Sequence, residues 1–134
     1  MSTSTLGELI GAHGVEVLEH LDRGMEVPVL GGLQLQGDLA VIPAALPGDA
    51  MVQVPREGVA VIEALAGGHE HRLVGPVSWL PARPGSQELG GLVVPPGGQG
   101  FLAHPEHGYL GIAPGSYVLR RQREQADEER MVAD

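Results

Sequence analysis

A chain of 134 residues is the size of one domain and long enough to bury a core. Its 21 glycines and 11 prolines, set against a hydrophobic content of 43%, point to short strands joined by tight turns rather than to a helical bundle. The formal net charge is −9 and every basic residue is an arginine, which argues against a broad basic surface and so against DNA as a partner. Cysteine is absent, which excludes disulfides, thiolate metal sites and a cysteine nucleophile. The N-terminus lacks a basic region and no apolar run approaches about 20 residues, so neither a signal peptide nor a membrane span is expected, and the expected compartment is the cytoplasm.

Residues 2–24 read as an amphipathic helix. Thr5 and Glu8 have the spacing of a capping box, and Leu6, Leu9, Ile10, His13, Val17 and Leu21 recur at intervals of three and four. Gly24 suits the position just past the end. Gly7, Gly11 and Gly14 count against this helix, each costing about 1 kcal/mol relative to alanine in a helix interior. His13 falls on the apolar stripe and is expected to pack, whereas His20 falls on the solvated face.

From residue 25 the pattern changes to strands. Residues 25–30 and 33–35 flank Gly31 and Gly32, a two-residue hairpin signal. Residues 38–42 form an apolar run closed by Pro43, and Pro47, Gly48 and Asp49 mark a turn. Residues 51–54, 59–65, 71–74 and 77–80 are further strand candidates, with Trp79 expected in the core. Residues 81–91 read as the main exposed loop, followed by strands at 92–94, 101–104, 109–112 and 116–122. The expected fold is all-β, a small single-domain barrel or sandwich of short strands with an N-terminal helix. Residues 1–24 form the helical segment, 25–124 the β domain, and 125–134 a charged tail or short helix.

Four of the six histidines fall into two short pairs, His69 with His71 and His104 with His107. In a strand alternate side chains share a face, so His69 and His71 would present two imidazoles together while Glu70 points away. His104 and His107 cannot share a strand face, but Pro105 favours a turn that brings them together. Neutral imidazole suits zinc, copper, iron or nickel. Three such ligands with an open position suit catalysis, and four closed ones suit structure. The same pairs also fit turn histidines held by ordinary hydrogen bonds, or a metal-free acid/base site. Glu106, between the second pair, is the candidate proton-handling residue, a ligand or second-sphere partner, or a solvated turn carboxylate. Arg120, Arg121 and Arg123 near the end offer an anion or RNA phosphate contact, or a charged strand edge that discourages sheet-to-sheet pairing.

The H-x-H pair after glycine, the turn-rich β sequence and the later histidine resemble the cupins, small β-barrels whose first motif supplies two metal-binding histidines and whose second supplies a third. By that likeness His69 and His71 match the first motif and His104 or His107 the second. The glutamate that cupins carry shortly after the second histidine is missing here. More of the chain is similar to a group of small bacterial and phage-type proteins without established activity. That likeness rests on Gln36-Gly37-Asp38, Gly68-His69-Glu70-His71, His104-Pro105-Glu106-His107, Pro114-Gly115-Ser116-Tyr117 and Gln122-Arg123-Glu124.

The sequence therefore leads to a small metal-binding protein with a four-histidine site, His69, His71, His104 and His107, for a divalent transition metal, zinc foremost, and hydrolase or oxygenase chemistry on a small-molecule substrate, in which three of the histidines bind the ion and Glu106 or the fourth histidine handles protons. The alternative is a non-catalytic interaction or assembly module with a structural metal or none. An RNA-associated role is the weakest of the three. Short β-proteins often cover sheet edges by self-association, so a homo-oligomer is expected.

Overall fold

Thr5 and Glu8 start the helix as their spacing predicts. In the computed structural model, which describes residues 3–47, 51–62, 70–82, 86 and 88–121, strand β1 (Ser4–Thr5) runs into helix α1 (Leu6–His13). The Thr5 hydroxyl accepts from the Glu8 N–H at 3.2 Å and the Glu8 carboxylate accepts from the Thr5 N–H at 2.8 Å. These bonds hold the Glu8 carboxyl below its ordinary pKa. The helix ends ten residues earlier than expected. Gly14 adopts φ 80°, a left-handed conformation, and its N–H returns to the Ile10 carbonyl, closing the helix after eight residues. Beyond it, the Arg23 guanidinium donates to the carbonyls of Val17, Leu18 and Leu21 at 2.7–2.9 Å, satisfying backbone groups that a continuing helix would have paired. The Leu18 N–H reaches the Pro105 carbonyl and ties this loop to the turn that carries His107.

The remaining strands, in chain order, are β2 (Glu26–Val27), β3 (Val29–Leu30), β4 (Gln34–Gln36), β5 (Leu39–Pro43), β6 (Val52–Gln53), β7 (Val59–Ile62) and β8 (His71–Val74), followed by β9 (Ser78–Pro81), β10 (Glu88–Val94), β11 (Gly100–His104), β12 (Gly108–Ile112) and β13 (Gly115–Arg121). A six-stranded sheet has the order β4-β5-β13-β10-β9-β6, a five-stranded sheet β3-β12-β11-β8-β7, and β1 pairs with β2. The sheets do not close on themselves, so of the two expected architectures the chain adopts the sandwich.

The expected hairpin at Gly31 and Gly32 is absent. A type I′ turn needs positive φ at both central residues, and neither glycine has it. Instead β3 pairs in parallel with β12 in one sheet and β4 pairs with β5 in the other, so this segment carries the chain between layers. The loop read at 81–91 is also shorter than expected, because β10 already begins at Glu88. Gly90 explains how: its φ is 152°, and a Cβ there would lie 2.5 Å from the Trp79 ring, so the missing side chain lets the indole lie on the strand. Trp79 is buried, as expected. The end of the 59–65 strand, the turn at Gly48 and Asp49, and the 125–134 tail lie outside the described residues.

Alternation along the strands sorts the apolar residues into two cores. Leu39, Val41, Leu73, Leu92, Leu102, Ile112 and Leu119 pack between the two large sheets. Leu6, Leu9, Val74, Phe101, Ala103 and Tyr109 pack between α1 and the five-stranded sheet. β11 is therefore buried on both faces, with Leu102 turned to the sheets and Phe101 and Ala103 to the helix. Tyr109 packs in this second core and donates its hydroxyl to the Val15 carbonyl at 3.0 Å; burial pushes its pKa up to about 12, against the opposing effect of that hydrogen bond. Among the described residues no helix is long and apolar enough to cross a membrane.

Candidate functional site

The sheet register delivers the first two site residues. β8 and β11 are antiparallel, with Leu102 opposite Leu73 and Ala103 opposite Arg72. One step further along, His71 and His104 lie side by side at the end of the inner apolar rows, their ring centroids 4.4 Å apart and both buried. After His104, Pro105, Glu106 and His107 form a three-residue loop that returns to Gly108, which pairs with His104 and has φ 78°. The loop is locked by His104 itself, whose Nδ1 accepts the N–H groups of Glu106 and His107 at 3.1 and 3.3 Å. A neutral His104 ring therefore carries its hydrogen on Nε2. His107 folds back against His104 at 4.5 Å and lies 6.3 Å from His71 at 14°, while both rings are tilted to His104, so the three imidazoles form one compact cluster with His104 at its corner.

The opposite sheet contributes the other half. β4 and β5 are joined by a two-residue turn, Gly37-Asp38, with Gln36 paired to Leu39; positive φ at Gly37 (59°) and not at Asp38 is the pattern of a type II′ turn. Gln36 is buried, at 4% exposure, and its amide bridges the layers. Nε2 donates to the carbonyls of Leu102 at 2.9 Å and Gly108 at 3.1 Å, while Oε1 faces His71 Nδ1 at 3.0 Å. Asp38 Oδ1 lies 3.2 Å from His71 Nε2, and its Oδ2 lies 3.4 Å from Arg121 Nε. Gly37 lies beneath His107: a Cβ there would come within 2.8 Å of His107 Nε2. Burial pushes the His71 pKa down; Asp38 opposes this, and His107 and Arg121 reinforce it.

Of the residues singled out from sequence, the fold thus brings together His71, His104 and His107, while His69 lies outside the described residues. Glu106 is exposed in the turn, and its backbone N–H serves His104. Glu70 is engaged by Arg72, whose Nε donates to it at 2.9 Å. His13 is not part of the cluster. It packs 5.7 Å from Phe101 and 6.3 Å from Tyr109, and burial lowers its pKa. Among the described residues no three histidine, aspartate or glutamate side chains are arranged, as they stand, to hold a metal ion. Gln36 and Asp38 carried no site role in the sequence reading. The one local signal was a glutamine placed inward next to a Gly-Asp turn, a position where a buried amide has to find distant partners.

No curated protein and no solved structure matches the chain, and the likeness to cupins gains no support. One family model does match, over residues 35–122, a span that contains Gln36, Asp38, His71, His104, His107 and Arg121. The chain belongs to that family, a domain of unknown function designated DUF8820.

Proposed function

We propose that this chain binds a divalent transition metal, zinc foremost, where His71, His104 and His107 meet, with His69 as a fourth imidazole. The bound ion serves hydrolytic or oxygen-dependent chemistry on a small-molecule substrate. The observation that carries this reading is the convergence of three imidazoles from two separate segments, at 4.4 and 4.5 Å between neighbouring rings. A chain without cysteine has only nitrogen and oxygen donors to offer, and zinc accepts such sets without a geometric preference of its own. Glu106, exposed between His104 and His107, is the proton-handling group of this reading.

A second reading is favoured by the hydrogen bonds already made. Both ring nitrogens of His71 and Nδ1 of His104 are engaged within the protein. That is the condition of histidines that brace turns in a non-catalytic, self-associating interaction module. Elemental mass spectrometry of the untagged protein separates the two readings. About one metal ion per chain, lost in both the His69→Ala, His71→Ala and the His104→Ala, His107→Ala double variants, supports the metal centre. A wild-type protein that carries no metal and takes up no Zn²⁺ refutes it in favour of the module.

A further inference from the structure

Gln36 fixes the chemistry of His71 more tightly than the neighbouring histidines do. Its Nε2 hydrogens go to the Leu102 and Gly108 carbonyls, so the atom it turns towards His71 Nδ1, 3.0 Å away, is an oxygen, and an oxygen accepts. Nδ1 therefore carries the ring hydrogen. In the neutral ring the lone pair then sits on Nε2, and what faces it at 3.2 Å is Asp38 Oδ1, a second lone-pair donor. Two acceptors held this close repel each other unless a second ring proton, which turns the contact into an ion pair, or a metal ion stands between them.

The spacing is that of two ligands on one ion. Zinc lies about 2.0–2.2 Å from histidine nitrogen and carboxylate oxygen, so two neighbouring donors at octahedral to tetrahedral angles are about 2.9–3.5 Å apart. We infer that Asp38 is a ligand of the ion proposed above, bound through Oδ1, with His71 bound through Nε2 and Gln36 as the outer partner that sets the His71 tautomer. The inference rests on the metal-binding reading. Arg121 Nε takes Asp38 Oδ2, leaving a single carboxylate oxygen for the ion. The Asp38 side chain is 38% exposed, so the centre opens to solvent on this side. His71 and Asp38 supply the ion with one imidazole and one carboxylate, and a third ligand has to swing in on binding, because no three of the described side chains stand ready as a set.

The experiment is Zn²⁺ titration of the metal-free full-length protein by calorimetry, comparing wild type, Asp38→Asn and Arg121→Gln, with histidine ring ¹⁵N spectra of the wild type before and after zinc. The expected result is binding weakened about 100-fold by Asp38→Asn and less than about 10-fold by Arg121→Gln. In the spectra His71 Nδ1 is protonated throughout and Nε2 is the nitrogen that zinc shifts, a readout that does not depend on any variant folding. Wild-type affinity in Asp38→Asn, or a zinc shift at His71 Nδ1, overturns the inference while the metal reading stands. A wild type that takes up no zinc, with both His71 nitrogens protonated against Asp38, overturns both.

Discussion

Replacing Gln36 by leucine keeps the bulk of a buried side chain while removing every polar atom from the junction of the two sheets. The amide makes three hydrogen bonds, to Leu102 O, Gly108 O and His71 Nδ1, at 2.9–3.1 Å. At about 1 kcal/mol net for each, with the partners left in a place of low solvent access, the expected destabilisation is about 3 kcal/mol. That is a large part of the roughly 5–15 kcal/mol that holds a domain folded. Urea unfolding with a slope of about 2 kcal/mol/M registers it as a midpoint lowered by about 1.5 M. Gln53→Leu is the control, because Gln53 is exposed and makes one hydrogen bond, to the Val77 carbonyl at 3.2 Å; its expected change is under about 0.5 kcal/mol. A cycle combining Gln36→Leu with His71→Phe isolates the contact between them, which is expected to couple by about 1 kcal/mol. A Gln36→Leu variant within about 1 kcal/mol of wild type at unchanged slope would refute the view that this amide joins the layers.

Three further outcomes are expected. Gly90→Ala puts a Cβ within 2.5 Å of the Trp79 ring and 2.7 Å of the Leu80 carbonyl, at a φ of 152°. It should cost about 2–3 kcal/mol and red-shift the emission of the only tryptophan, whereas unchanged emission would mean that the indole does not rest on this strand. Thr5→Ala removes the helix cap and should lower stability by about 1 kcal/mol, with Thr5→Ser restoring most of it; equal stability of all three proteins in thermal melts would show that the cap carries no energy. His13 has a pKa lowered by burial, so the unfolded chain binds the extra proton first as pH falls below about 6.5. Its contribution is complete above that pH and is lost on acidification. The fall in stability from pH 7 to 5 should therefore be smaller in His13→Gln than in wild type, with His71 supplying a remaining slope of the same sign. Parallel curves for the two proteins would refute the assignment.

Features written in short-range pattern were legible from the sequence. The Thr5–Glu8 capping box, the strands read at 71–74, 109–112 and 116–122, and the turn at Pro105 depend on neighbours within a few residues, and all are present within a residue or two. The helix end is not legible because Gly14 and Gly24 are equally good caps on composition; Gly14 is the one that closes the helix, and the loop beyond it is held by the Arg23 side chain taking up its carbonyls, a tertiary event. The Gly31-Gly32 pair looked like a hairpin because sequence does not say whether two flanking strands join the same sheet. At the site, the histidine pairs stood out by spacing. The Gln36–His71 and Asp38–His71 contacts bridge 35 and 33 residues and two layers, and no periodicity records them.

The histidine cluster belongs to one sheet, and the turn that holds His71 in place belongs to the other. Separating the layers, even slightly at this end, takes Gln36 and Asp38 away from His71 together. A ligand of the kind proposed, gripped by both halves, would occupy only the closed sandwich, and its binding energy would also be cohesion between the sheets. Each tenfold excess of ligand over its dissociation constant adds about 1.4 kcal/mol to closure. Amide protons of β4, β8 and β11, far apart along the chain, would then slow their exchange with solvent in concert. This corner of the fold acts as a clasp, and its state is reported by how firmly the two sheets stay shut.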